Sequence, residues 1–147
     1  MANDWAQVID QIITMLKANA TLNAEVLSWF FGDRTVDRIT RFPAIMVYLR
    51  GGPVSPGIGA AETEEMDYVI VNLQNKPQAE EKAERACLEH ARIIKDVLKA
   101  DRSLGGLVAS SYRIRFDVDR VSFRPRQGSP VSVVAAATVW HTRKKVS

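Results

Sequence analysis

The sequence predicts an α+β domain in which a four-stranded, mainly antiparallel sheet carries helices packed on one face. Two segments repeat apolar residues at helical spacing, and four others are rich in residues that favour strands. The strand segments form two pairs, one before and one after the longer helical segment, so the order is α-β-β-α-β-β. Two hairpins separated by a long helix are typical of a sheet with helices on one side.

The bulk composition is that of one globular domain, which we expect to span residues 1–147. The hydrophobic fraction of 46% and the charged fraction of 25% are ordinary values. No window holds the 18 or so consecutive apolar residues that a membrane-spanning helix requires. Asp4 and Asp10 stand where a signal peptide would carry basic residues, so we expect a cytoplasmic protein with no membrane partner.

Helical periodicity predicts two helices and one shorter helical turn. Residues 4–18 carry a single apolar stripe, and a short turn is expected at 22–30. The long central helix begins near Pro77, is rich in glutamate at its start, and is rich in lysine and arginine at its end. Gly105 and Gly106 are predicted to end it.

The first pair of strands is predicted at residues 41–50 and 65–75, joined by an oversized hairpin loop at 51–61. The loop is rich in glycine but is not predicted to hold phosphate. It lacks the Lys-Ser/Thr of a phosphate-binding loop, and an acidic strand follows it where such a loop would lead into a helix.

The second pair of strands follows the central helix. Residues from Tyr112 to Val118 alternate between apolar and charged, and the phase of the alternation then changes, which predicts a bulge near Asp119 and Arg120. The closing strand, "VSVVAAATVWH", is apolar on both faces and is therefore predicted to be central or covered. Residues 142–147 are expected to form a basic C-terminal tail.

We expect no catalytic, metal or cofactor site, and hence no enzyme. Cys87, the single cysteine, is predicted to be a small buried thiol in the central helix. His90 is predicted to lie on the flank of that helix and His141 beside the basic tail. No serine lies in a G-x-S-x-G nucleophile motif.

Charge is divided unevenly along the chain. Eight basic and two acidic residues follow residue 112, whereas the first 112 residues carry a net charge of −3. Four acids stand close together in "ETEEMD" at the start of the second strand. This division predicts complementary surfaces, either within one chain or between copies of it.

Nucleic-acid binding is the alternative interpretation of the basic half. Its Arg-rich strand face comprises Arg113, Arg115, Arg120, Arg124 and Arg126. Tyr112 and Phe116 fall on the opposite face of the same strand. Aromatic residues and arginines are therefore segregated, whereas a surface that stacks bases interleaves them.

Several segments together carry a resemblance to a known family. They are the N-terminal amphipathic helix, the "FPAIMVYL" strand, the long hairpin loop, the "EEMDYVIVNL" strand, the charged helix with its exit "ADRSLGGLV", and the closing strand "VSVVAAATVW". In these segments and their order, residues 1–142 resemble the tail terminator and neck (tail-completion) proteins of tailed bacteriophages and of prophage-derived, phage-tail-like particles. "DRSLGGLV" is the most distinctive piece.

The resemblance implies a structural protein without a cofactor. Such proteins form a ring, commonly a homohexamer, that caps the tail tube, ends its polymerisation and offers the head-joining surface. The implied partners are further copies of the chain, the tail-tube protein and the head–tail connector or neck protein, while DNA only passes through the channel. The implied location is a virion or tail-like particle assembled in the cytoplasm of a host bacterium.

In such a ring, we hypothesise that the acidic strand end of one subunit meets the basic strand face of the next. The residues would be Glu62, Glu64, Glu65 and Asp67 on one side and Arg113, Arg115 and Arg120 on the other. The alternative is that these charges pair across strands inside one subunit. Under the same resemblance the hairpin loop contacts the tube or neck, through Gly51, Gly52, Pro53, Val54, Ser55, Pro56, Gly57, Ile58 and Gly59, with Arg124 and Arg126 as further basic contacts.

Overall fold

The structure, a computed structural model, describes residues 4–34, 38–52, 54–56, 62–76, 80–108, 115–118, 122–125 and 132–146. Its helices are α1 (Asp4–Lys17), α2 (Ala20–Glu25) and α3 (Glu80–Ala100). Its strands are β1 (Ser28–Phe31), β2 (Ala44–Gly51), β3 (Val54–Pro56), β4 (Glu62–Lys76), β5 (Arg115–Val118), β6 (Ser122–Pro125) and β7 (Ser132–Val146). The predicted α+β class is confirmed.

All strands belong to one sheet, in the order β1-β2-β4-β7-β5, with β3 beside β4 and β6 beside β7. Every pairing is antiparallel except the parallel pair of β1 and β2. The four predicted strands correspond to β2, β4, β7 and the row formed by β5 and β6. In the same way β3 lies in line with β2, since both pair with β4, and β6 lies in line with β5, since both pair with β7. The sheet is mixed, since β1 adds a short parallel row that the sequence did not predict.

The helices pack on one face of the sheet. Residues of α1 and α3 such as Ile12 and Leu98 share one core with the inward-facing Ile45, Tyr68 and Trp140. Nearer the start of α3, small side chains at Ala83, Cys87 and Ala91 let the helix lie close to Val134 and Ala136 of β7. This close approach is what the alanine-rich first half of the helix permits.

The opposite face of the sheet is buried as well. Met46, Val69, Leu73 and Val133 belong to a second apolar cluster on this side. Phe30, Phe42 and Tyr48 pack against it, and Ile39 is part of it. The central strands are therefore apolar on both faces, as predicted for the closing strand, which lies between β4 and the β5–β6 row.

The helical turn predicted at 22–30 is wrong in its second half. The helix α2 is capped by Asn19, whose Oδ1 accepts a hydrogen bond from the backbone N–H of Leu22 at 3.0 Å, and it ends at Glu25. The chain then enters β1, where three consecutive aromatic residues, Trp29 to Phe31, pair with β2. Aromatic residues favour strands, and here this preference outweighs the helical spacing of apolar residues on which the predicted turn was based.

The bulge predicted near Asp119 and Arg120 lies outside the described residues. On either side of it, Val118 pairs with Thr138 and Ser122 pairs with Ala135. The pairing of β6 with β7 is therefore shifted by one residue from that of β5.

Candidate interaction site

Two segments predicted to be a loop and a tail instead form a three-stranded extension of the sheet. Val54–Pro56 of the predicted loop pairs with Glu62–Glu64, and residues 142–146 of the predicted tail pair with residues 62–66. We call this extension the charged arm and define it as residues 54–56, 62–67 and 141–146. Opposite charges facing across the strands, such as Glu65 opposite Arg143, favour this pairing over a free tail.

The row of β2 continues into β3 across a one-residue irregularity. The register shifts between Leu49 and Gly51, and from Gly51 onward it stays constant through β3. Gly52 lies so close to β4 that a Cβ atom there would stand 1.8 Å from the carbonyl oxygen of Glu65. Glycine at position 52 is therefore required by the close approach of the two backbones. Pro53 and residues 57–59 of the predicted contact loop lie outside the described residues.

Two of the predicted interface acids already have partners within the chain. The Nδ1 atom of His141 lies 2.5 Å from Oδ1 of Asp67. The Oε1 atom of Glu65 lies 3.7 Å from Nε2 of His141 and 3.5 Å from Nε of Arg143. All four side chains are half-buried or exposed, so each of these contacts is expected to contribute only a few tenths of a kcal/mol to about 1 kcal/mol.

The acids do not form one surface. Glu65 and Asp67 share a face of β4, while Glu64 lies on the opposite face, where α1 packs. The indole N–H of Trp5 in α1 donates a hydrogen bond to Oε2 of Glu64 at 3.2 Å. The side chain of Glu62 lies outside the description. The three acids whose side chains are described are therefore divided between the two faces of β4.

A small pocket lies beneath the Trp5–Glu64 contact. Its volume of about 10 Å³ holds roughly one water molecule. Its walls are mainly apolar and come from α1, β4, β7 and the segment after α3: Trp5, Val8, Glu64, Met66, Tyr68, Val108 and Thr142. A space of this size does not bind an organic ligand, so it does not suggest a small-molecule site.

The predicted basic partners are described only through their backbone, or not at all. Arg113, Arg120 and Arg126 lie outside the described residues, and the side chains of Arg115 and Arg124 are likewise outside the description. The register places Arg115 opposite His141, which is itself opposite Asp67. Arg115 and Asp67 of the same chain are thus two strand spacings apart, or roughly 10 Å between their backbones.

A buried polar layer lies between α3 and the sheet. The thiol of Cys87 lies 3.0 Å from Oδ1 of Asn72, and burial raises the pKa of this thiol to about 12. It is thus a neutral thiol at physiological pH and unsuited to act as a nucleophile. The predicted small buried thiol is confirmed.

The prediction that His90 lies on the helix flank is wrong. This residue is buried, with Nδ1 3.1 Å from Nε2 of Gln74 and Nε2 2.6 Å from Oε2 of Glu25. One acceptor and one donor on the ring fit the tautomer with its proton on Nε2. Cys87 and His90 are one helical turn apart, a spacing the sequence interpretation overlooked, but they contact different partners. Among the described residues, no group of acids, histidines and cysteine could hold a metal ion.

The distinctive "DRSLGGLV" segment forms a compact turn after α3. The Asp101 carboxylate accepts hydrogen bonds from the Ser103 hydroxyl at 2.7 Å and from the Gly105 N–H at 2.9 Å. These bonds, led by that of Ser103, lower the pKa of Asp101. Leu104, Gly105 and Gly106 all have positive φ, which the two glycines adopt without strain. The motif is thus explained by backbone geometry.

Sequence interpretation missed His141 and Arg143 as members of the charged arm and Trp5 as a residue that contacts it. The usable signal was the alternation in "HTRKK", in which His141 and Arg143 would share one face of a continued strand. Interpretation as a basic tail hid this pattern. Trp5 carried no comparable signal, because its partner Glu64 is 59 residues away in the chain.

Comparison with known proteins adds little. No protein-family model matches the chain, and no curated protein matches it either. Among solved structures, it is similar to a chain of a structure described as "Virion of native gene transfer agent (GTA) particle". The identity is 14% over 94% of this chain and 97% of that chain, with a TM-score of 0.36. Similarity at this level carries no argument about fold or function. Within the described part of the chain, no helix is both long and apolar enough to cross a membrane.

Proposed function

We propose that the protein is a structural, non-enzymatic subunit of a phage-type tail terminator: a homohexameric ring that caps the tail tube, ends its polymerisation and offers the head-joining surface. Support comes from the resemblance of residues 1–142 to tail terminator and neck proteins, and from an α+β fold in which the predicted helices and strands follow one another in the expected order, with β1 as an addition. The partners in this proposal are copies of the chain, the tail-tube protein and a connector or neck protein. The location is a virion or tail-like particle assembled in the bacterial cytoplasm.

The observation that carries the proposal is the charged arm. From Asp67 to Glu62, β4 advances by five residues, which places the end of the arm roughly 17 Å beyond Asp67. Pairing on both sides, with β3 and β7, makes this part of β4 stiffer than a loop of the same length. A stiff, charged strand end is suited to contact a neighbouring subunit or a tube end, because little conformational entropy is lost when it docks.

The proposed subunit contact pairs the arm of one subunit with the basic strand face of the next. Within it, Glu62 and Glu64 are the acids we substitute first, because Glu65 and Asp67 contact the basic residues His141 and Arg143, whereas the described partner of Glu64 is the uncharged Trp5. A contact between two different patches of identical subunits closes into a ring when the rotation allows it.

Charge variants of the arm test this contact. Glu62→Lys combined with Glu64→Gln is expected to weaken ring formation at least about tenfold, because it removes two charges and introduces one of the wrong sign. Glutamine at position 64 keeps an oxygen that can accept the hydrogen bond from Trp5. Glu81→Lys is the matched control, since this α3 side chain is 78% exposed and lies outside the arm.

The measurement is the fraction of chains in rings, counted by negative-stain imaging at several salt concentrations. Unchanged assembly and unchanged salt sensitivity in the double variant would contradict the proposed contact. A titration with duplex DNA in the same buffers tests the nucleic-acid alternative, which predicts submicromolar binding that weakens steeply with salt.

A further inference from the structure

A different part of the molecule, the outer edge of β1, presents unpaired backbone groups. The N–H groups of Ser28 and Gly32 donate to carbonyl groups of Pro43 and Val47 on the β2 side. Because consecutive residues of a strand point their backbone groups to opposite sides, the groups of Trp29 and Phe31 face away from β2. Within the described residues, no strand pairs with this outer side.

The edge is apolar and exposed. Leu27, which precedes the strand, and Phe31, its last residue, are 47% and 44% exposed and rank among the most exposed large apolar side chains described. Natural proteins protect open edges with proline, charged side chains, bulges or very short strands. β1 is short, at four residues, but it contains no proline and no charged residue, whereas β3 contains Pro56 and β6 contains Pro125.

Positive charge brackets the edge on both faces of the sheet. On the helix face, Nζ of Lys17 lies 5.7 Å from the ring centroid of Trp29. On the other face, the guanidinium of Arg34 lies 5.6 Å from the ring centroid of Phe30. Arg38 and Arg41, close by in sequence, are exposed as well. Asp33 is the exposed acid that follows Gly32, so the described charge near the edge is positive on balance, which favours acidic side chains on an added strand.

The geometry points to β1 as a site where an extended acidic segment of a different protein adds as a further strand. In this mode, main-chain hydrogen bonds to Trp29 and Phe31 supply affinity, and the flanking cations select for acidic residues. This inference is independent of the ring proposed above, because β1 lies in a different row of the sheet from the charged arm.

A second copy of the chain is a poor occupant of this edge. Its acidic strand segment, residues 62–67, is already paired on both sides within its own sheet. At the other end of the sheet, β5 and β6 each contain an arginine, and the chain from residue 113 onward is strongly basic. Among the described residues, therefore, a second copy offers no open strand of complementary charge.

The test uses two synthetic nine-residue peptides with blocked ends, one alternating glutamate with valine and the other alternating lysine with valine. Binding to the full chain is followed by amide hydrogen exchange. The acidic peptide is expected to slow exchange of the Trp29 and Phe31 amides at least about tenfold and to bind at least about tenfold more tightly than the basic one. The Gly32 amide, already bonded to β2, is the internal reference.

Three variants sharpen the test. Phe31→Pro removes an outward N–H that makes no bond to β2 and is expected to abolish protection. Leu27→Asp places a negative charge at an exposed position, where the fold tolerates it, and is expected to weaken binding of the acidic peptide about tenfold. Leu88→Asp on α3 is the matched control, because Leu88 is 49% exposed and lies away from β1.

Four results would overturn the inference. The first three are equal binding of the two peptides, protection of amides elsewhere than in β1, and absence of binding by the acidic peptide at millimolar concentration. The fourth is protection of the Trp29 and Phe31 amides in the chain alone, without peptide, that becomes stronger as the protein concentration rises. The last result would place a second copy on this edge.

Discussion

Adjacent glycines at the base of the charged arm meet two different physical requirements. Gly51 has φ of +102°, but a Cβ atom there would meet nothing within 4 Å. Gly52 has no such φ, but its added Cβ would collide with the carbonyl of Glu65 at 1.8 Å. The first position needs glycine for its backbone conformation and the second needs it for space.

Substitution of these glycines separates the two requirements. Gly51→Ala is expected to lower the free energy of unfolding by about 1 kcal/mol, the cost of a left-handed conformation for alanine. Gly52→Ala is expected to cost more, about 2–4 kcal/mol, because the strands must move apart. Urea unfolding of the two variants measures both values. A Gly52→Ala variant no less stable than Gly51→Ala would show that the close approach to Glu65 is not present.

Cys87 provides a prediction about pH. Burial raises the pKa of this thiol to about 12 from an ordinary value of 9.0. The neutral thiol is thus favoured in the folded state, so its contribution to stability is complete below pH 9 and is lost as the pH rises towards 12.

Alkylation tests this account of the thiol. At pH 8 the native chain is expected to react with iodoacetamide at least about a hundredfold more slowly than the chain unfolded in urea, since both burial and the neutral form suppress reaction. Mass spectrometry of timed samples measures the two rates. Similar rates would contradict a thiol buried between α3 and the sheet.

At the scale of elements, the turn after α3 depends on one carboxylate. Asp101→Ala removes the acceptor for the Ser103 hydroxyl and the Gly105 N–H and is expected to destabilise the chain by about 1 kcal/mol. Because the pKa of Asp101 is lowered in the fold, its contribution is present at neutral pH and is lost as the pH falls below the ordinary aspartate range. Unfolding curves at neutral and acidic pH should therefore differ between wild type and variant only at the higher pH.

The last strand yields a sharper prediction, because a tail and a strand respond differently to truncation. Thr142 is buried, and its hydroxyl donates a hydrogen bond to the carbonyl of Met66. Ending the chain after His141 is expected to lower stability by at least about 2 kcal/mol, since five residues of pairing with β4 are lost. Ending it after Val146 is the control. Equal stability of the two truncated chains would restore the interpretation of residues 142–147 as a tail.

The elements that the sequence predicted well are those with a local pattern. The helices Asp4–Lys17 and Glu80–Ala100 follow from apolar spacing within ten or twenty residues. The predicted tail was wrong because residues 142–146 pair with residues 62–66, and pairing across such a distance is not encoded in local spacing. The strands at Val54–Pro56 and at Trp29 have partners much nearer in the chain, but their strand signal was hidden by glycine and proline in the first case and by helical spacing in the second.

At the scale of the whole molecule, the effect of the uneven charge depends on where the fold places the acidic and basic segments. The acidic segment of β4 and the basic end of β7 are neighbours in one sheet, so part of the asymmetry is neutralised within the chain. Sequence alone predicted the two charge clusters but could not place them, because their proximity depends on the order of the strands. What is left for an intermolecular contact is therefore smaller than the net charges of the two halves suggest.

The proposed ring and the proposed strand addition at β1 use different parts of the same sheet. The arm extends the central strands lengthwise, whereas β1 is the outermost strand on one side of the sheet. An assembly built on both would join identical subunits through the arm and another protein through β1. Variants that affect one contact are expected to leave the other unchanged, since the sites share no described residue.

The central claim is that identical chains close into a ring, and the most direct test is the mass of the purified protein by light scattering, with negative-stain images of the same fraction. The account predicts ring-shaped particles with a mass close to six times that of the 16.4 kDa chain. A single-chain mass at every concentration, together with tight and steeply salt-dependent binding to duplex DNA, would contradict it and favour the nucleic-acid alternative.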